Sequence, residues 1–350
     1  MENVVRIGII GLGGISKKHI GELNQIRECK ITAVCDIDEN KLCKVGEELK
    51  IPTENRFKDY RELIKCADVD AVEICTPNHL HVPMSVAAIE AGKPFNVEKP
   101  LSVSYADALL LGEKLKEKPT PNMICFSYRF MPAVRYAKHM MENGEIGKVI
   151  NIQVEYLKSS AFWPGRRLEW RFLKEYAGTG VLGDLGVHLI DMTGFLFGDI
   201  KAVSAVKGIV VKERKRLDSE ELGEVETDDY CSFMARIGDG TCGNFFITRC
   251  ALGHVNTIKF DVFGDKGMIS FNLNTPDVIY VNKDLVNCDK GKLECITVPD
   301  EFKIMQEQMF VDMVNKKECK YLPTVEDGLK TQKVLDALLM SSENGSWAEI

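Results

Sequence analysis

The sequence predicts a two-domain α/β protein, in which a doubly wound parallel sheet is followed by an α+β half containing a large, mostly antiparallel open sheet. Three observations carry this expectation. The 350 residues, at 39.3 kDa, exceed what one hydrophobic core organises, and at roughly 150 residues per domain they divide in two. Over the first third, short β-branched runs alternate with helical stretches, as strands joined by crossover helices do. After about residue 128 the rhythm lengthens into strand-like runs joined by glycine turns, the mark of antiparallel hairpins. The division is placed at residue 125, giving blocks 1–125 and 126–350.

Element by element, a first strand at Val4 to Ile10 leads to a helix at Ser16 to Ile26, a strand at Ile31 to Cys35 and a helix at Asn40 to Leu49. Strands follow at Ala71 to Cys75, Phe95 to Val97 and Met123 to Phe126, with helices at about Pro83 to Ala91 and Ser104 to Lys116. This repetition is Rossmann-like. In the second block, strands are expected at Val149 to Leu157, Ala202 to Val211, Tyr230 to Ile237, Cys242 to Arg249, Lys259 to Gly264 and Met268 to Leu273. Gly238-Asp239-Gly240 and Gly264-Asp265-Lys266-Gly267 supply hairpin turns, and Gly183 to Phe197 the main helix. Thr324-x-x-Asp327 opens a closing apolar-periodic helix as a capping-box variant.

With 45% hydrophobic and 28% charged residues the chain can bury a core and keep a wetted surface, which excludes a disordered or low-complexity protein. A formal charge of −7 with no basic stripe argues against a nucleic-acid partner. Apolar runs stay below the roughly 18 residues of a membrane span, and the N-terminus lacks the layout of a signal peptide. A cytoplasmic protein with no membrane partner is therefore expected. The twelve cysteines are scattered without a C-x-x-C pair, and read as reduced, mostly buried thiols with no structural metal. Met140, Met141, Met309 and Met313 read as fillers of core or interface gaps.

Gly11-Leu12-Gly13-Gly14-Ile15-Ser16 follows a strand and opens a helix, the setting in which glycines let backbone N–H groups approach a pyrophosphate; a ligand-free turn is the plainer alternative. Ser16 stands where a third Gly or Ala is usual. Asp36 ends the second strand, 23 residues beyond Gly13, where an acid meets an adenosine ribose and repels a 2′-phosphate. NAD is thus favoured over NADP. Cys75-Thr76-Pro77-Asn78-His79-Leu80-His81 and Val97-Glu98-Lys99-Pro100 lie at C-terminal strand ends, where open α/β sheets bind ligands. There Lys99 can hydrogen-bond a hydroxyl with Glu98 tuning it, or the two form a surface pair before a loop proline. In Gly183-Asp184-Leu185-Gly186-Val187-His188-Leu189-Ile190-Asp191 the acid and the imidazole are four apart and share a helix face, as a proton-relaying pair or as an N-cap and a core histidine.

Taken in order, G-x-G-x-x-S, the Asp ending strand two, T-P-N-x-x-H, A-G-K-x-x-x-x-E-K-P and G-D-x-G-x-H-x-x-D resemble the glucose-fructose oxidoreductase, inositol dehydrogenase (Gfo/Idh/MocA) family over nearly the whole chain. The resemblance implies an NAD-binding Rossmann domain at 1–125 and a substrate-binding and oligomerisation domain at 126–350, its sheet used for a homodimer or homotetramer. It implies Lys99, Asp184 and His188 as the catalytic set, His188 being the general base. Gly11, Gly13, Gly14, Ile15, Ser16, Asp36, Ile37, Thr76, Pro77, Asn78, His81, Glu98, Lys99 and Arg129 fall at cofactor-side positions. A cis bond is implied at Lys99-Pro100. The substrate side comprises Lys99, Tyr128, Trp163, Arg166, Arg171, Asp184 and His188. Two tryptophans beside Arg166, Arg167 and Arg171 suit the faces and hydroxyls of a sugar ring, or an interdomain packing loop or oligomer contact.

These readings converge on an NAD-dependent oxidoreductase moving hydride between a secondary alcohol of a sugar, cyclic polyol or glycoside and the nicotinamide. Two alternatives stay open: an NAD-retaining glycosidase or eliminase using transient oxidation, and a non-catalytic NAD or sugar sensor.

Overall fold

A computed structural model describes residues 4–286 and 291–350, and the chain divides into two units. The first joins Met1–Cys125 with Met305–Leu329; the second joins Phe126–Ile304 with Lys330–Ile350. The two-block reading gave all of 126–350 to the second half. The segment Met305–Leu329 instead packs with the first unit, because Glu307 is buried against His19 and the Pro323 carbonyl accepts the Ile124 N–H at 3.0 Å.

The first unit holds six parallel strands: β1 (Val5–Ile10), β2 (Cys29–Cys35), β3 (Arg56–Phe57), β4 (Ala71–Ile74), β5 (Phe95–Val97) and β6 (Asn122–Ile124). Their order is β3-β2-β1-β4-β5-β6, with the direction of winding switching between β1 and β4. The strand centres are apolar and buried on both faces, as the continuous runs Ile7-Gly8-Ile9-Ile10 and Ala71-Val72 require. Between them lie α1 (Ser16–Leu23), α2 (Glu39–Glu48), α3 (Tyr60–Lys65), α4 (His81–Ala91) and α5 (Tyr105–Glu117). Asp38, Asp59 and Ser104 cap α2, α3 and α5 through their side chains.

The second unit opens with α6 (Pro132–Glu142) and β7 (Val149–Leu157), then α7 (Lys174–Ala177), α8 (Val187–Phe197) and β8 (Ile200–Gly208). Short strands β9 (Glu213–Lys215) and β10 (Leu222–Glu224) pair with each other. There follow β11 (Tyr230–Ile237), β12 (Thr241–Thr248), β13 (Thr257–Gly264), β14 (Gly267–Asn272), β15 (Val278–Asn282) and β16 (Glu294–Thr297). Helix α9 (Gln306–Val314) belongs to the first unit; α10 (Val325–Asn344) and β17 (Ala348–Glu349) close the chain. Among the described residues nine strands form one sheet, β16-β15-β14-β13-β7-β12-β11-β8-β17, antiparallel throughout except where β7 meets β12. The alternating exposure of β11 and β12 follows the pleat, with Phe233 and Phe245 stacked on the buried face at 4.3 Å. Both anticipated glycine turns close hairpins, β11 to β12 and β13 to β14.

Eleven cysteines are free thiols, and Cys288 lies outside the described residues. Met140 and Met309 are buried in their units, whereas Met141 and Met313 are half-buried.

Candidate active site

In the first unit, Gly11 to Ile15 turn the chain between β1 and α1. Gly11 sits at φ +90°, and a Cβ there would lie 2.7 Å from the Cys75 carbonyl oxygen, so this position requires glycine. Around Gly13 and Gly14 an added Cβ would meet nothing within 4 Å, which leaves the backbone open to a ligand. Helix α1 begins with no side-chain cap and no acid in its first turn, so its terminal amides keep their attraction for an anion. Ser16 is buried and its hydroxyl donates back to the Gly13 carbonyl at 2.7 Å, closing the turn that a smaller residue usually closes. Ile15 is exposed. The Asp36 carboxylate accepts from the Leu12 N–H at 2.7 Å and the Asp38 N–H at 2.9 Å, which fixes it beside the glycine loop. Ile37 beyond it is exposed. An open loop, an uncapped helix start and a fixed acid after β2 fit a dinucleotide.

The loops after β4 and β5 emerge in register with this turn, since Cys75 N–H donates to Ile10 and Glu98 N–H to Ile74. Thr76 and Pro77 are half-buried and Asn78 is buried. The Lys99-Pro100 bond is cis. His81 was expected to touch cofactor; it is wholly buried, with its ring nitrogens 2.8 Å from the Thr76 carbonyl and 2.7 Å from that of Pro100. It staples the two loops from beneath, because both nitrogens are taken up by main chain. Glu98 is also buried: Oε2 accepts the Lys99 N–H at 3.1 Å and Oε1 lies 2.9 Å from His19 Nε2. Lys99 itself is half-buried.

Beneath these loops is a polar network that the sequence reading did not name. His19 Nδ1 lies 2.7 Å from Glu307 Oε1 and 3.5 Å from Glu73 Oε2, and all three side chains are buried. Burial opposes a charge on His19, but the surrounding Cys75 and Cys125 sulfurs and Glu307 outweigh it and hold the ring well above its ordinary range. Burial pushes both thiols up, and the Glu98 and Glu307 carboxyl oxygens are the hydrogen-bonding atoms nearest the ring, at 2.9 and 2.7 Å. Burial also opposes charge on Glu98; the His19 hydrogen bond and charge, with Lys99, overcome it and bring that carboxyl down to about 2. Glu73 is pushed up, first by burial and then by Glu307, while Glu307 is drawn down against burial by its hydrogen bond and charge interaction with His19. His19, Glu73 and Cys125 also bring metal-type donor atoms within 4.8 Å of one another. The 2.7 Å between His19 and Glu307 is a hydrogen-bond separation. Two ligands of a tetrahedral zinc stand about 3.3 Å apart.

In the second unit the expected helix from Gly183 begins instead with a π-turn, Leu182–Gly186, before α8. The Asp228 carboxylate accepts from the Gly180 N–H at 2.9 Å and the Leu182 N–H at 3.0 Å, anchoring the entry. A Cβ on Gly180 would sit 1.9 Å from the Asp228 carbonyl oxygen, so the approach depends on glycine. Asp184 is half-buried in the π-turn, and His188 is buried on α8. The Tyr128 ring meets His188 edge-on with centroids 4.5 Å apart. Its hydroxyl lies 2.9 Å from that of Tyr156 and accepts from Asn256 at 3.2 Å, while Tyr156 donates to Asn256 Oδ1 at 2.9 Å. Burial, with Tyr128 and then Asp184, pushes the Tyr156 hydroxyl well up. Tyr156 and Asn256 were not foreseen; the one available signal was an aromatic hydroxyl on the inward face of β7. Arg129 is buried and grips Asp191 on α8 with three contacts of 2.6 to 3.0 Å.

The tryptophan-arginine loop splits in two. Arg166 turns into its own loop, donating to Glu169 at 2.9 Å and the Ser160 carbonyl at 2.8 Å and lying 4.7 Å over the buried Phe172 ring. Arg214 and Arg249 stack on the same ring at 4.3 and 4.7 Å, which makes it a packing centre. Trp163 stays half exposed, and Arg171 lies 4.4 Å over Trp170.

Models of two domains match this chain: the oxidoreductase family's NAD-binding Rossmann fold over residues 5–125 and the GFO/IDH/MocA C-terminal domain over residues 134–270. Levoglucosan dehydrogenase of Pseudarthrobacter phenanthrenivorans is 31% identical over 328 residues, covering 85% of this chain and 84% of that protein. Myo-inositol 2-dehydrogenase of Thermotoga maritima is 29% identical over 276 residues, covering 76% and 74%. A solved levoglucosan dehydrogenase in complex with NADH superposes with a TM-score of 0.91 at 28% identity, covering 99% of each chain.

Proposed function

The chain belongs to the Gfo/Idh/MocA family of NAD-binding oxidoreductases, and from that premise we propose that it oxidises a secondary alcohol of a sugar, cyclic polyol or glycoside. The observation that carries this reading is the placement of the half-buried Lys99 on the same strand-end edge of the parallel sheet as the open glycine loop. Bound NAD supplies the hydride acceptor. In the first unit the role of holding the reacting hydroxyl falls to Lys99; in the second, Asp184 carries the same role and His188, packed against Tyr128, that of proton acceptor. Thr76, Pro77 and Asn78 line the cofactor side, and Asp36 receives the adenosine ribose. Trp163, exposed, and Arg171, half-buried, meet the sugar ring, while Arg166 holds that loop in shape.

The test is a panel of cyclic polyols, sugars and glycosides, levoglucosan and myo-inositol among them, offered with NAD or NADP while reduced cofactor and substrate are both measured. NADH formed in step with substrate loss is expected; sugar release without net NADH would establish transient oxidation instead. Asp36→Ala should lower the preference for NAD over NADP, because the carboxylate that repels a 2′-phosphate is gone.

Val206, Met234, Phe246, Phe263 and Tyr280 stand exposed along the nine-stranded sheet, and they support pairing of this sheet with that of a second copy as a homodimer or homotetramer. Light scattering of the purified protein checks the assembly; a monomer at micromolar concentration would overturn it. The free thiols support a cytoplasmic location. Lys174–Phe197 is apolar and long enough to cross a membrane by composition, but 83% of its apolar window is buried within the protein.

A further inference from the structure

We propose that His19 is a positioning residue for Lys99, acting through Glu98 and held in turn by Glu307, so that α1, the strand-end loop after β5 and α9 form one device that sets the lysine. The inference rests on the reading that Lys99 holds the reacting hydroxyl. Its basis is geometric and lies wholly in the first unit. The Glu98 carboxylate has two partners, each engaging one oxygen: the main-chain N–H of Lys99 at 3.1 Å and the His19 ring at 2.9 Å. The main chain from which the lysine side chain springs is thereby tied to a buried ring on another element. His19 cannot turn away, because Glu307 Oε1 holds its other nitrogen at 2.7 Å. Glu307 is delivered by the segment Met305–Leu329, which follows the nine-stranded sheet in sequence yet packs with the Rossmann unit.

The ring must donate from both nitrogens, since both partners are carboxylate oxygens; a neutral imidazole satisfies only one of them. The groups facing it are Glu73 and Cys75 from β4 and its end, Glu98 from the end of β5, Cys125 from the end of β6, and Glu307 with Gln306 from α9. Glu73 receives both contacts of the Asn96 amide at 3.1 and 3.2 Å, and the Cys125 thiol donates to Asn96 Oδ1 at 3.2 Å. Both ring nitrogens of the buried His19 are thus engaged by carboxylate oxygens. Were one lost, the Lys99 main chain would lose its fixed reference, and reaction geometry is sensitive to displacements of an ångström.

The test is a double-mutant cycle on the NAD-bound enzyme with myo-inositol or levoglucosan, whichever is oxidised. His19→Asn should lower kcat about 10- to 100-fold while KM for NAD changes less than about threefold. Glu98→Gln, which keeps the acceptor for the Lys99 N–H and the volume of the side chain, should lose less. Combining His19→Asn with Lys99→Met should be no slower than Lys99→Met alone, because a residue acting through the lysine has nothing left to position. Multiplicative losses in the double variant would overturn the proposal. Unchanged turnover in Lys99→Met would instead sink the role of the lysine, a separate failure. Proton NMR gives a readout without substrate: two strongly downfield ring N–H signals of His19, the Nε2 signal shifting or vanishing in Glu98→Gln. A single ring N–H in the wild-type protein would also overturn the proposal, and this measurement decides the matter if His19→Asn does not fold.

Discussion

Arg129 closes on Asp191 with its Nε 2.8 and 3.0 Å from the two carboxylate oxygens and its Nη2 at 2.6 Å, and both side chains are almost sealed from solvent. The pair ties the turn before α6 to α8, the helix that carries His188. Family resemblance placed this arginine against cofactor; its fork is engaged with an acid inside the second unit. Removing one partner leaves a buried charge uncompensated, which costs about 3–5 kcal/mol. Asp191→Ala should therefore lower the unfolding free energy by that order, and Arg129→Lys should recover little, because an ammonium cannot make the forked contact. Urea denaturation followed by tryptophan fluorescence checks it, and a change under about 1 kcal/mol would mean the pair contributes little net stability.

The two glycines of the cofactor loop should separate stability from binding. Gly11→Ala forces a Cβ to 2.7 Å from the Cys75 carbonyl oxygen at φ +90°, and backbone strain of this kind costs roughly 1–3 kcal/mol before the clash is counted. Gly13→Ala meets nothing within 4 Å, so the ligand-free protein should melt as the wild type does. Its Cβ occupies the space through which the pyrophosphate approaches, so NADH affinity should fall about tenfold or more. Calorimetry without ligand and NADH fluorescence titration measure the two effects. Unchanged affinity in Gly13→Ala would place the pyrophosphate elsewhere.

The buried network makes acid stability legible. Glu98 sits at about 2 in the folded state, against about 4.3 for a free glutamate. A carboxyl depressed by folding contributes stability that is complete above about pH 4.3 and is lost as pH falls toward 2. His19 is shifted the other way: its contribution is complete below about pH 6.5 and is lost only as pH rises through its raised folded value. Glu98→Gln should be less stable than wild type near pH 6, with the gap closing by roughly 1.5–2 kcal/mol as the solution is acidified to pH 3, out of a total on the order of 3 kcal/mol that is lost only below about pH 2. Thermal melts across that range test it; a constant gap would show that Glu98 is not the titrating group.

What the sequence disclosed and what it withheld divide along physical lines. Strands β7 and β11 were foreseen at their observed bounds because one-sided burial writes a period of two into nine and eight residues respectively. Strands β3 and β17, two residues each, leave no period to read. The glycine loop, Asp36 and the E-K-P turn are legible because local backbone demands fix residue type. Glu307 is 288 residues from His19 and Asp228 is 46 from Leu182, so the groups that hold Lys99 and shape the entry to α8 are supplied by packing, which no local pattern records. The π-turn at Asp184 belongs to the same class: a helix was read correctly, but its first turn is set by an acid from a distant loop.

His188 offers the sharpest test of the second unit's chemistry. Its ring is buried edge-on against Tyr128, whose hydroxyl is tied to Tyr156 and Asn256. If the imidazole accepts the hydroxyl proton, His188→Ala should lower kcat by about 10²–10⁴. NADH affinity should stay within about twofold, because the glycine loop and Asp36 are built entirely from first-unit residues. Tyr128→Phe keeps the aromatic edge against the ring and removes only the hydroxyl, so its loss should be smaller, with the pH dependence of kcat preserved. The opposite ranking, a silent His188→Ala beside a crippled Tyr128→Phe, would transfer the proton-accepting role to the Tyr128 and Tyr156 pair. Burial and the neighbouring Tyr128 push the Tyr156 hydroxyl well above its usual range, so Tyr156 stays protonated near neutral pH. Stopped-flow measurement of NADH formation in the two variants decides between them.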